Sequence, residues 1–152
     1  RMEMRGELRR GYFVAGLSGA QFALPAAVEA LREAAAQPDA SVVVVAASDP
    51  ACVYGGQGLD APAFARVAST QVALMGGRPF VLFADHGERI TVADGVDGDL
   101  VARALSVWLA RPGAPRRVRV TQWNGVPVLG GPGEALLRAA GFSRAPLAME
   151  RG

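Results

Sequence analysis

Two short extended runs at the N-terminal end of the sequence, separated by a glycine-flanked turn, constrain the fold most. The first run is Arg9–Val14 and the second is Gln21–Leu24. Between them lies Gly16-Leu17-Ser18-Gly19, whose glycines can adopt the backbone angles that a tight turn requires. The spacing therefore predicts an antiparallel β-hairpin with arginines at its base.

The pairing within this hairpin follows from the loop length. If the four residues 16–19 form the loop, Phe13 lies opposite Phe22, Ala15 opposite Ala20 and Gly11 opposite Leu24. Side chains alternate along a strand, so the other face carries Arg10, Tyr12, Val14 and Gln21. We therefore predict one apolar face and one face that can meet a polar partner.

Size and composition favour a globular chain without a membrane segment. The 152 residues suffice for one domain with a core, or for one domain and a fragment of another. No apolar run approaches the roughly 20 residues that span a bilayer. The single cysteine, Cys52, cannot form an internal disulfide, which favours a reducing cytoplasm. The 16 basic residues are all arginine, so the lysine of a phosphate-binding P-loop is absent and no motor of that type lies within this sequence.

Apolar periodicity predicts three helices and several strands beyond the hairpin. Pro25 suits the first turn of a helix, and Asp97 suits an N-cap. Asn124-Gly125 is a strong hairpin turn signal, and the strand after the last helix is expected at a sheet edge. The predicted helices are residues 25–36, 97–111 and 134–140, and the predicted strands are 41–46, 67–75, 79–84, 89–92, 118–123, 126–129 and 146–149.

Strands in meanders, separated by single helices, predict the α+β class. The expected architecture is a small curved or barrel-like, mostly antiparallel sheet, covered by two to three helices and preceded by the N-terminal β-hairpin.

Two groups of arginines are candidates for nucleic-acid contact. In the first, Arg9 and Arg10 lie beside Tyr12 and Gln21 at the hairpin. In the second, strand alternation places Arg117 and Arg119 on one face with Trp123, next to Arg116. Guanidinium groups bind phosphates and aromatic rings stack on bases, so both groups fit a nucleic-acid surface. The alternatives are a solvated strand face for the second group and packing against a neighbouring domain for the hairpin.

No catalytic or metal-binding pattern emerges from the remaining residues. One histidine and one cysteine cannot assemble a zinc cluster of Cys and His ligands. His86 lies in a turn signal, Asp49 is explained by a turn hydrogen bond, and Cys52 has no nearby histidine to activate it. We therefore expect no catalytic residue, metal ligand or cofactor in this chain.

A set of motifs carries a resemblance that runs in order through most of the chain. It rests on Arg9-Arg10-Gly11-Tyr12-Phe13-Val14, Gly16-Leu17 and Gly19-Ala20-Gln21-Phe22-Ala23-Leu24-Pro25. It continues more thinly through Ser48-Asp49-Pro50, Tyr54-Gly55, the hairpin around Gly76-Gly77 and Val126-Pro127-Val128-Leu129-Gly130. Together these motifs resemble a block near the C-terminus of large helicase-related (Lhr) proteins, which are bacterial ATP-dependent DNA helicases. The resemblance implies that residues 1–39 end a winged-helix-like unit and that residues 40–152 form a β-barrel-like module, unless both make one compact unit.

The resemblance also implies a function and partners. The chain would be an accessory C-terminal domain of a longer helicase, with ATP and Mg²⁺ bound by the motor elsewhere. Its expected partners are DNA, either single-stranded or as an RNA–DNA hybrid, upstream domains of the same chain, and a second copy in a homo-oligomer.

Two alternatives stay open at this point. The C-terminal region of Lhr proteins is similar to bacterial DNA glycosylases, which makes Gln21, Asp49 and Glu150 conceivable participants in base excision. An exposed Phe13 and Phe22 face would instead favour an oligomerisation or protein-interaction module.

Overall fold

The computed structural model describes residues 7–14, 18–37, 39–55 and 63–152. Eleven strands and three α-helices form in these residues. The helices are α1 (Pro25–Ala36), α2 (Gly98–Ala110) and α3 (Pro132–Ala139). The strands are β1 (Arg9–Gly11), β2 (Gln21–Ala23), β3 (Val42–Ala46), β4 (Gln71–Met75), β5 (Arg78–Ala84), β6 (Arg89–Val92), β7 (Val118–Val120), β8 (Gln122–Trp123), β9 (Val126–Pro127), β10 (Ser143–Ala145) and β11 (Ala148–Arg151).

The predicted N-terminal hairpin forms, but its register is not the expected one. β1 and β2 pair antiparallel with Arg10 opposite Phe22, whereas the prediction placed Phe13 there. The strand pairing ends at Gly11 opposite Gln21. Beyond this pair, the side chain of Gln21 makes hydrogen bonds with the backbone of Phe13 and Val14, so these residues belong to the loop and not to the ladder. The predicted pairing of Ala15 with Ala20 lies outside the described residues. The three-residue shift changes which side chains share a face, so the predicted division into an apolar and a polar face is wrong.

The largest sheet has the strand order β3-β4-β5-β6-β8-β9. Its first four strands pair antiparallel and confirm the predicted meander, although β4 begins at Gln71 and not at Val67. β6 and β8 pair in parallel, with α2 in the connection between them. Asp97 caps α2 as predicted, since its Oδ1 accepts a hydrogen bond from the N–H of Asp99 at 2.7 Å.

A second sheet of three strands follows the order β10-β11-β7. β11 therefore lies in the centre of this sheet, which corrects the prediction of an edge strand. The predicted strand 118–123 is also divided, because β7 belongs to this sheet and β8 to the larger one. The division lies at Thr121, where the carbonyl oxygen of Glu88 accepts from the N–H groups of both Thr121 (2.9 Å) and Gln122 (3.3 Å).

Among the described residues, the two clusters of buried hydrophobic side chains lie between Val42 and Met149, and Val28 of α1 is buried apart from them. The largest member of the clusters, Trp108 of α2, is fully buried and stacks on Phe83 of β5, with ring centroids 4.4 Å apart. Gly87 lies against the same indole, where an added Cβ would approach Trp108 to 2.3 Å. α2 is thus fixed onto one face of the large sheet.

The predicted α+β class is confirmed. Antiparallel and mixed sheets, three helices and the N-terminal hairpin all appear among the described residues, and their sheets stay open and do not close into a barrel. No helix in the described part of the chain is long and apolar enough to cross a membrane.

Candidate nucleic-acid interface

Gln21 organises the loop of the N-terminal hairpin. Its Oε1 accepts hydrogen bonds from the backbone N–H groups of Phe13 and Val14, each at 2.8 Å, and its Nε2 donates to the carbonyl oxygen of Val14 at 2.9 Å. One amide side chain thus replaces the ladder bonds that the backbone would otherwise make. The sequence suggested Gln21 as a nucleic-acid contact, but its amide is engaged within the hairpin.

The arginines at the base of the hairpin differ in their surroundings. Arg9 Nη1 lies 3.6 Å from Oε1 of Glu29 on α1, and the same oxygen accepts from Arg32 at 2.8 Å. Arg10 is exposed, and Tyr12 is 82% exposed. Such surface ion pairs are weak, so a phosphate can compete for Arg9. Arg10 and Tyr12 are thus exposed side chains of this group, and Arg9 is exposed but shares Glu29 with Arg32.

The second arginine group surrounds β7. Arg116, Arg117 and Arg119 are all exposed, and Arg119 forms a 3.0 Å ion pair with Glu150 of β11. Trp123 is only 5% exposed, and it packs on Gly133 of α3, where an added Cβ would lie 2.3 Å from the ring. The prediction that Trp123 shares an exposed face with Arg117 and Arg119 is therefore wrong, and the indole offers no stacking surface.

Sequence reasoning missed a third set of charges next to this group. Glu134 is 9% exposed, and its Oε1 accepts a hydrogen bond from Arg138 at 2.7 Å and lies 3.8 Å from Arg144. Its Oε2 accepts from the N–H of Gly130 at 2.7 Å. This backbone bond, aided by Arg144 and Arg138 and opposed by burial, lowers the pKa of Glu134. Glu134 therefore stays ionised and holds two arginines at the surface. The scarcity of acidic residues after Arg111 was the sequence signal that could have revealed this set of charges.

The remaining polar candidates have local structural roles. Oδ1 of Asp49 accepts from the N–H of Ala51 at 2.8 Å, the turn bond that the sequence predicts. His86 lies in a short 3-10 turn with a left-handed φ of 58°. Cys52 is fully buried. Within the described residues, no three His, Cys, Asp or Glu side chains come together as a metal site.

Comparison with known protein families finds a match for the N-terminal part of the chain. Residues 1–43 match a family described as the winged-helix domain of large helicase-related protein. The match covers the hairpin and α1 and ends within β3. The predicted boundary between residues 39 and 40 remains a prediction.

Two relatives extend the similarity to nearly the whole chain. A protein of Escherichia coli (strain K12) described as "Lhr helicase/uracil glycosylase" is 36% identical over 165 residues, which cover 99% of this chain and 10% of that protein. A protein of Mycolicibacterium smegmatis (strain ATCC 700084 / mc(2)155) described as "Lhr helicase/ probable uracil glycosylase" is 36% identical over 163 residues, covering 95% and 11%. The chain thus spans about a tenth of the length of these relatives. The similarity to a C-terminal Lhr region that the sequence indicates is confirmed.

Proposed function

We propose that this chain acts as a non-motor accessory region of an Lhr-type ATP-dependent DNA helicase and helps to hold nucleic acid. The observation that carries the proposal is the winged-helix match at residues 1–43, together with similarity over nearly the whole chain to two Lhr proteins. The proposal places ATP and Mg²⁺ in a motor outside this sequence and the protein in the cytoplasm.

Within this proposal, the base of the hairpin contacts the sugar-phosphate backbone. Arg10 and Arg9 supply charge, and Tyr12 supplies an exposed ring on which a base can stack. Contacts of this kind give affinity with little sequence preference.

Binding titrations test this role of the hairpin. The chain is titrated with labelled single-stranded DNA, duplex DNA and an RNA–DNA hybrid over a range of salt concentrations. We expect binding at low salt that weakens as salt rises, and weaker binding by the double variant Arg10→Ala, Tyr12→Ala. Arg78→Ala, which removes the same charge from the β4–β5 hairpin, is the matched control and should bind like the unaltered chain. Absence of binding to all three nucleic acids at low salt would refute the proposal.

A specific observation also favours a packing role for the same segment. Phe22, Leu24 and Leu31 are 53%, 55% and 47% exposed, and Val28 is the only residue of α1 that is buried. Exposed apolar side chains at this density mark contact surfaces. We propose that preceding parts of the winged-helix unit in a longer Lhr protein cover them. Concentration-dependent sedimentation of the isolated chain would instead favour self-association through this surface.

The names of the relatives suggest a second function, participation in uracil excision. Asp49 and Glu150 are both exposed, and each makes a local contact described above. Under this hypothesis, a full-length Lhr protein releases uracil from DNA, and Asp49→Asn or Glu150→Gln lowers the rate. Unchanged excision by both variants would remove these two carboxylates from the reaction.

A further inference from the structure

Charge is distributed unevenly along this chain. Residues 111–152 contain seven arginines and two glutamates, a net charge of +5, whereas residues 1–110 contain nine arginines and twelve acidic residues, a net charge of −3. All residues of the basic part are described. Its two acids, Glu134 and Glu150, are both paired with arginines. The excess positive charge therefore resides on arginines that no acid of this segment neutralises.

The three-stranded sheet arranges part of this charge in rows. Arg119 lies opposite Glu150, which in turn lies opposite Ser143, so that the three residues form a row across β7, β11 and β10. Arg117 precedes Arg119 by two residues, and its Cγ would lie 3.5 Å from a Cβ added to Gly152. Arg117 lies in the bend that immediately precedes β7, and both arginines line the same groove.

The rows border a shallow groove of about 490 Å³, which Arg151 also lines. Ser143 and Gly152 keep its floor low, because neither has a long side chain that would hold a polymer away from the sheet. Phe142, which directly precedes Ser143, is only 3% exposed. The groove thus offers positive charge and a close approach to backbone, without a ring for base stacking.

We propose that this outer face of β7, β11 and β10 binds the phosphodiester backbone of a nucleic-acid strand. Arg119 of β7 and Arg117, which immediately precedes β7, contact the phosphates. This inference rests on the proposed nucleic-acid function, but it concerns a surface on the second sheet, apart from the hairpin strands β1 and β2.

Glu150 limits how strongly this surface can bind phosphates. Its ion pair with Arg119 at 3.0 Å occupies one guanidinium and places a negative charge between the rows. Both side chains are about half exposed, so the pair contributes little to folding and can be removed without unfolding the chain. Replacing Glu150 by glutamine keeps the shape, frees Arg119 and removes repulsion of the phosphates.

Salt-dependent binding of the 152-residue chain tests the inference. Arg117→Ala is expected to weaken binding roughly tenfold at low salt and to reduce the slope of log K against log salt by about one. Glu150→Gln is expected to tighten binding roughly twofold to fivefold, the range of a surface ion pair. Arg78→Ala serves as the control of equal charge on the larger sheet, and thermal melts confirm that each variant is folded.

The outcomes separate this inference from the proposed function. Single-stranded and duplex probes, tested side by side, identify which form the groove prefers. If the unaltered chain binds and the hairpin variant weakens binding, while Arg117→Ala and Glu150→Gln both match the unaltered chain, the groove is refuted and the proposed function stands. If the unaltered chain binds no nucleic acid at low salt, both fail.

Discussion

Single residues decide which side chains this protein presents to a partner. Strand alternation from Arg117 through Trp123 predicted one continuous exposed face. The alternation fails at Thr121, because the carbonyl oxygen of Glu88 accepts from two successive N–H groups and β8 leaves the sheet of β7. Trp123 consequently turns inward onto α3. A hydrogen bond between residues so distant in sequence leaves no local signal, so the sequence could not reveal this reversal.

The contact between Trp123 and Gly133 leads to a prediction about stability. Alanine is the better helix former by about 1 kcal/mol, yet Gly133→Ala would place a Cβ 2.3 Å from the indole. We expect the clash to dominate and the free energy of unfolding to fall by about 1–3 kcal/mol, as overpacked cores do. Urea unfolding measures this change.

Gly98→Ala is the matched control for this substitution. Gly98 also lies in the first turn of a helix, but its added Cβ would lie 3.6 Å from Leu136, an ordinary contact. This variant should be as stable as the unaltered chain or slightly more so. Equal stability of the two alanine variants would contradict the packing of Trp123 described above.

Among the elements, the hairpin and α1 contrast with the rest of the molecule. Their sequence signals were local and strong: α1 begins at Pro25 and ends at Ala36 as predicted, and both hairpin strands form within the predicted runs, although in a different register. Their packing is sparse, because Val28 is the one buried residue of α1. Isolated short hairpins and helices of 12 residues are marginal in water, so these elements gain little stability of their own. By contrast, α2 buries Val101, Ala104, Leu105 and Trp108. Local propensity thus predicts both helices, but it cannot tell which one carries the core.

This contrast predicts that α1 is the less stable of the two helices in the isolated chain. Backbone amides of α1 should exchange with deuterium well before those of α2, because α1 opens without disturbing the core. Leu31→Ala should cost less than about 0.5 kcal/mol, whereas Leu105→Ala should cost about 2–5 kcal/mol. In a longer protein in which the winged-helix unit is complete, α1 should gain protection and Leu31→Ala should become more costly. Equal protection of α1 and α2 in the isolated chain would contradict the proposed covering of α1.

At the scale of the whole molecule, the class and most elements were predictable because their signals are short-range. The meander β4–β5–β6 follows from alternating apolar runs and turn residues such as Gly76 and Gly77. The parallel pairing of β6 with β8 and the central position of β11 join distant segments, and no spacing in the sequence encodes them. The arginine surface was only partly predicted for the same reason: Arg117 and Arg119 lie two residues apart in sequence, whereas Glu150 reaches Arg119 through the pairing of β11 with β7.

The position of the core predicts how the molecule can be divided. Both hydrophobic clusters begin at or after Val42, and Val28, the buried residue of α1, belongs to neither. Removing residues 1–39 therefore leaves every described side chain of both clusters in place. Among the described residues it breaks the hydrogen bond from the N–H of Gly76 to the carbonyl oxygen of Asp39, and the two that the N–H and hydroxyl of Ser41 donate to the Asp39 carboxylate.

We expect the fragment 40–152 to unfold cooperatively, with a free energy of unfolding within about 3 kcal/mol of the whole chain, because the three hydrogen bonds lost with Asp39 contribute about 1 kcal/mol or less each. A chain ending at residue 146 is the control in which the core itself is disrupted. It lacks β11, the central strand of the second sheet, together with the fully buried Met149 and Ala148, and it should not fold. Calorimetry and circular dichroism distinguish these outcomes. An unfolded fragment 40–152 would mean that the hairpin and α1 are integral to the core, and the predicted boundary at residue 39 would then be wrong.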